Sequence, residues 1–215
     1  MHDDHGHGSA HDHYDASSPQ IRIEALEDLL VERGIADRER IDATIERFEH
    51  DIGPMIGADL VARAWADPSL RTRLLDDADA VVAELGVRGA EIEHIEIKAN
   101  GPGVHNVVVC TLCSCYPWAL LGLPPNWYKS PEYRARMVRE PRAVLSEMGL
   151  DLEPDTELRV WDSSSETRFL VLPERPAGTE GWPVERLTEL VTRDSMIGVA
   201  RAADPRGQQS GAHEH

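Results

Sequence analysis

His105-Asn-Val-Val-Val-Cys-Thr-Leu-Cys-Ser-Cys115 joins a β-branched run directly to three thiols, and its reading decides the architecture. A short apolar run rich in valine and bounded by turn residues suits a buried strand. Upstream, Ile92-Glu-His-Ile-Glu-Ile-Lys-Ala99 alternates apolar and polar residues, and Asn100-Gly101-Pro102-Gly103 separates the two runs. The sequence therefore predicts strand, turn, strand, with the second strand delivering the chain to Cys110. Downstream, ELRVWD (157–162) and TRFLVL (167–172) are joined by SSSE and predict a second strand pair.

Helical spacing surrounds these strands. Apolar residues recur at that period over Ile56–Ala66 and over Pro68–Leu85, where Pro68 suits a first turn and Gly86 an end. Pro131–Met137 and Pro141–Met148 read as short helices, the second closed by Gly149, after a proline-stiffened loop over Leu121–Pro131. PVERLTELV (183–191) and MIGVA (196–200) predict a closing helix and tail. The expected class is α+β: an N-terminal helical arm, then a layered α/β-sheet core with the cysteine loop at a strand end. The core domain is expected over residues 54–201.

Before that core, Ile23, Leu26, Leu29 and Leu30, then Ile41, Ile45 and Phe48, mark two amphipathic helices punctuated by Gly34. Gly53-Pro54 sets residues 20–53 apart, so the expected cover for their apolar faces is a partner subunit. Residues 1–19, with His2, His5, His7, His11 and His13, have nothing to bury and are expected to be disordered. Residues 202–215 are read as a similar flexible tail.

The 215 residues are 41% hydrophobic and 28% charged, enough for one sizeable core. A formal net charge of -17 repels phosphate backbones and anionic head groups, which argues against nucleic acid and membrane partners. No basic start precedes an apolar run, and nowhere do about 18 apolar residues run together. The expected location is cytoplasmic.

All three cysteines of the chain fall between Cys110 and Cys115, the pattern of a metal or redox site rather than a disulfide framework. An ordinary zinc site draws on four ligands, usually as two separated pairs, and no second pair exists. The Cys113 sulfur and the Ser114 amide nitrogen can close a six-membered chelate, and the Cys115 sulfur with its own amide a five-membered one. Cys110 would then cap a four-donor plane and leave one position open. Such a donor set favours low-spin iron or cobalt, and an open position favours hydration or hydrolysis. Spacing alone leaves three other readings standing: a C-x-x-C dithiol, a zinc knuckle with His105 as fourth ligand, and three structural cysteines.

The stretch Val109-Cys-Thr-Leu-Cys-Ser-Cys-Tyr-Pro-Trp118, followed by GLPPNWYKSPEYRARMVREPRAVL, closely resembles the α subunit of nitrile hydratase. The resemblance reaches back through GPMIGADLVARAWADPSLRTRLLDDADAVVAELG and on through RVWDSSSETRFLVLPERPAGTEGWPVERLTELVTRDSMIGVA, covering nearly all of Ile21–Ala200. It implies one non-corrin metal ion held by Cys110, Cys113, Cys115 and the main-chain nitrogens of Ser114 and Cys115. It further implies Cys113 oxidised to sulfinic and Cys115 to sulfenic acid, with Cys113, Ser114 and Cys115 as the catalytic group and Trp118 lining the substrate pocket. Thr111 and Tyr116 look like the cobalt-type pattern, so cobalt(III) is expected ahead of iron(III). The implied reaction adds water to a nitrile, and the implied partners are a β subunit and a cobalt-insertion activator protein. Thiocyanate hydrolase, whose metal-bearing subunit is similar, is the alternative enzyme. A cobalt-binding metallochaperone, suggested by the histidine tail, and a dithiol oxidoreductase are the alternatives of other classes.

Overall fold

The computed structural model describes residues 19–41, 53–87, 94–113 and 115–205. Most of both predicted tails and the second predicted arm helix lie outside those residues. The chain divides into two units, one through Glu46 and one from Arg47.

In the first unit, α1 (Pro19–Glu32) ends where Gly34 takes φ +65, a left-handed turn that only glycine adopts without strain. The amides of Gly34 and Ile35 return to the carbonyls of Val31 and Leu30 at 2.9 Å, and Arg38 pairs with Glu27 and Asp28. Ile23, Leu26 and Leu29 remain exposed along α1.

The second unit opens with α2 (Pro54–Ala66), whose Leu60, Val61, Ala62 and Ala64 are fully buried. The helix predicted over Pro68–Leu85 is two helices, α3 (Pro68–Asp76) and α4 (Ala78–Glu84). Asp77 makes the break: its backbone leaves the helical region and its carboxylate accepts the Ala80 amide at 3.0 Å, capping the new start. Asp67 caps α3 in the same way through Ser69.

Strands β1 (His94–Ala99), β2 (Val104–Val109), β3 (Glu157–Asp162) and β4 (Thr167–Leu172) stand where the residue patterns place them, but their pairing differs. β1 pairs with β4 and β2 with β3, both parallel. SSSE does not turn β3 back onto β4, so the second strand pair is not a ladder of its own. The reason is burial: Val107, Val108 and Val109, and Leu170, Val171 and Leu172, are buried to 2% exposure or less, as strands covered on both faces are.

Between β2 and β3 the chain forms α5 (Trp118–Leu121), α6 (Asn126–Lys129), α7 (Pro131–Arg139) and α8 (Pro141–Glu147). The proline-rich loop of the prediction thus begins at the end of one single-turn helix, α5, and contains another, α6. α9 (Val184–Thr188) and α10 (Arg193–Ile197) follow β4. α2 packs on α9, α5 and α10, and α10 lies against β4 and β2. At Gly198, with φ +92, an added Cβ would lie 2.1 Å from the Asn106 carbonyl oxygen, so the turn after α10 presses directly on β2. The architecture is a mixture of helices with two small parallel sheets of two strands each.

Candidate metal centre

Cys110 is the first residue beyond β2, and it inherits that strand's burial: none of its surface is exposed. The chain then swings outward, leaving Cys113 exposed and Cys115 half-buried. No disulfide joins the three thiols, and their sulfurs converge. Sγ of Cys113 lies 3.7 Å from that of Cys110 and 3.2 Å from that of Cys115, and all three fall within 4.8 Å of one another. The Cys113 amide also donates to the Cys110 sulfur at 3.3 Å. Among the described residues the metal-binding group is these three cysteines alone.

Three contacts hold the loop in this shape. Asp162, opposite Val109 in the β2–β3 register, accepts the Thr111 amide at 2.9 Å and the Thr111 hydroxyl at 2.6 Å. The Tyr128 hydroxyl donates to the Cys115 carbonyl at 2.9 Å, and Arg134 Nη1 donates to the Cys113 carbonyl at 3.0 Å. Beneath them Tyr116, Tyr128, Trp127 and Tyr133 meet edge to face or tilted, with centroids 4.9 to 6.0 Å apart, and the Tyr133 hydroxyl donates to the Val108 carbonyl. The floor of the loop is therefore rigid, with Cys113 exposed, Cys115 half-buried and Cys110 buried.

Burial pushes the Cys115 thiol up to about 12, its hydrogen bonds to Cys113 and Cys110 add to the rise, and Arg168 opposes it. A metal ion binding here displaces that proton, because the thiolate is the ligand. Three soft donors so close, with no disulfide between them, fit a thiophilic transition ion.

His105 does not complete a zinc knuckle. It lies near the start of β2, with Nε2 at 2.7 Å from the Gly198 carbonyl and Nδ1 at 3.2 Å from the Asn100 amide nitrogen. Trp118 begins α5, half-buried against the core close behind the cysteines. Ser114 lies outside the described residues. The sequence pattern places Asp162 at the end of a strand and assigns Arg134 nothing. Only the parallel β2–β3 pairing, which no local pattern announces, places Asp162 beside Thr111.

The sequence profile of the family described as nitrile hydratase, alpha chain, matches residues 17–200. The chain belongs to the nitrile hydratase α-chain family. Within it, the α subunit of the low-molecular-weight cobalt-containing nitrile hydratase of Rhodococcus rhodochrous is 53% identical over 184 residues, covering 86% of this chain and 89% of that one. The thiocyanate hydrolase γ subunit of Thiobacillus thioparus is 40% identical over 198 residues, 86% of this chain and 81% of that one. A solved double histidine mutant of the Fe-type nitrile hydratase of Comamonas testosteroni Ni1 superposes with TM-score 0.82 at 42% identity, over 86% of this chain and 91% of that one. Of these three, the cobalt-containing relative shares the most sequence identity with this nitrile hydratase α chain. No helix among its described residues is long and apolar enough to cross a membrane.

Proposed function

We propose that this chain is the metal-carrying α subunit of a cobalt nitrile hydratase, which adds water to a nitrile carbon to give the amide. The observation that carries the reading is the convergence of Cys110, Cys113 and Cys115 within 4.8 Å at a strand end, in a chain of this family. Cys110, Cys113 and Cys115, with the main-chain nitrogens of Ser114 and Cys115, would hold one cobalt(III) ion. When bound, that ion supplies Lewis-acid activation for hydration.

The chain's own groups do the rest. Asp162, Tyr128 and Arg134 fix the loop, so its donors need little rearrangement before a ligand arrives. Trp118 closes one wall of the substrate pocket. Exposed Cys113 and half-buried Cys115 are the thiols open to oxidation, to sulfinic and sulfenic acid respectively, whereas Cys110 is shielded. Cobalt is favoured over iron by Thr111 and by the 53% identity to a cobalt-containing relative.

A β subunit covers the site. Leu112 is 84% exposed beside the cysteines, and Ile23, Leu26 and Leu29 of α1 are exposed as well. A separate activator protein inserts the cobalt, and the acidic chain acts in the cytoplasm. Co-production with the neighbouring β subunit in cobalt medium, followed by assays on small nitriles and on thiocyanate, tests the reading. Amide formation is expected. Ammonia release from thiocyanate with inert nitriles would replace it by the thiocyanate hydrolase reading.

A further inference from the structure

We infer that Arg134 is a positioning residue for the metal loop, holding the Cys113 peptide in the orientation that metal binding uses. The inference rests on the proposed metal site. Among the described residues of 110–115, contacts to the surroundings include Asp162 at Thr111, Tyr128 at the Cys115 carbonyl and Arg134 at the Cys113 carbonyl. Of these donors and acceptors, Arg134 is the one cation, and it reaches the middle of the loop, where Cys113 is otherwise exposed.

Its helix is built to hold it there. Ser130 caps α7 by accepting the Tyr133 amide at 3.1 Å, and Arg136 ties the helix to Glu140 and Glu147 at 2.6 Å. From consecutive positions, Tyr133 bonds the Val108 carbonyl at 2.7 Å and Arg134 the Cys113 carbonyl at 3.0 Å. α7 therefore grips the end of β2 and the cysteine loop with adjacent side chains. Nε of Arg134 is buried without a hydrogen-bond partner among the described residues, a desolvation cost that the contact of Nη1 with the loop must offset.

Two physical consequences follow from that contact. A peptide is planar, so fixing the Cys113 carbonyl oxygen fixes the amide nitrogen that follows it in the chain. When that nitrogen is a ligand, its negative charge is shared with the same carbonyl oxygen, and a guanidinium there makes a charge-assisted bond. Three thiolates gathered in one loop add to the negative charge that Arg134 offsets. A lysine keeps the charge but loses the planar fork that sets direction.

The test compares wild type, Arg134→Gln, Arg134→Lys and, as control, Arg139→Gln, each co-produced with the β subunit. Among the described residues, Arg139 bonds a carbonyl of its own helix, that of Ala135. The readouts are cobalt per chain after loading at limiting metal, the cobalt–sulfur absorption, and thermal unfolding of the metal-free complex. R134Q is expected to need on the order of tenfold more cobalt for equal occupancy, with R134K in between, R139Q at wild type and metal-free unfolding unchanged. R134Q loading at wild-type cobalt would overturn the inference. So would loss of folding in both metal-free R134Q and R134K, because Arg134 would then serve the fold rather than the loop. A wild type that takes up no cobalt at all would instead overturn the metal-site reading beneath it.

Discussion

Asp162 holds Thr111 at two atoms at once, its carboxylate oxygens lying 2.9 Å from the amide and 2.6 Å from the hydroxyl. The parallel pairing of β2 with β3 makes this possible, because the last residue of β3 comes level with the last residue of β2 and so reaches the loop that follows. The cysteine loop is thereby hooked onto the sheet one residue after its buried first cysteine, Cys110.

A double-mutant cycle on that pair measures the hook. Asp162→Asn and Thr111→Val are each expected to speed hydrogen exchange through the loop, and their effects on unfolding free energy to couple by about 1 kcal/mol. Strictly additive effects would mean that the contact does not restrain the loop.

Gly198 is expected to tolerate nothing larger. A Cβ at this residue meets the Asn106 carbonyl at 2.1 Å, and the backbone itself is left-handed, so Gly198→Ala combines steric overlap with strain. A loss of roughly 3 kcal/mol or more in thermal unfolding of the complex is expected. An unchanged midpoint would show that α10 and β2 can part at little cost.

His105 makes stability fall in mild acid. Burial holds its pKa below the ordinary 6.5, the bond to the Gly198 carbonyl opposes that shift, and Arg201 adds to it. The unfolded chain therefore takes up the proton first, so this contribution is complete above about pH 6.5 and is lost as pH drops toward the folded value. The Asn100 amide oxygen accepts from Asn106 twice, which leaves its nitrogen facing His105 Nδ1, where a second ring proton has no acceptor. The urea midpoint is expected to drop with falling pH in wild type and to drop less in His105→Gln. Parallel profiles would remove His105 as the cause.

His94 behaves in the opposite sense. Its ring lies 2.6 Å from Asp79, whose hydrogen bond and charge raise the His94 pKa, while a second Asp79 oxygen accepts the Ile95 amide at 2.8 Å. The pair stabilises the fold below about pH 6.5 and ceases to do so as pH rises through the folded value, with a modest effect because both side chains are exposed. NMR titration is expected to place His94 above the ordinary value and to return it there in Asp79→Asn. A resonance titrating at the ordinary value in wild type would contradict the contact.

The elements of this fold were legible wherever a local pattern specified them. Alternation marked β1, valine runs marked β2, and Pro131, Pro141 and Gly149 bracketed two helices that stand where expected. Pairing was not legible. The SSSE segment satisfies turn chemistry equally well whether it reverses the chain or carries it to a neighbouring ladder, and only burial of both faces decides between these. The break at Asp77 escaped notice because apolar spacing continues across it, although the side chain is a good cap. The cysteine cluster could be read from spacing because ligands so close in sequence must be close in space. Asp162 and Arg134 lie 51 and 21 residues from their loop partners, and no local rule connects them.

The most direct test of the account is elemental analysis combined with the intact mass of the α chain, after production with its β subunit in cobalt-supplemented medium. About one cobalt per chain, with oxygen added at Cys113 and Cys115 and Cys110 unmodified, is the expected result. Zinc or no metal, with three unmodified thiols in a folded complex, would contradict it.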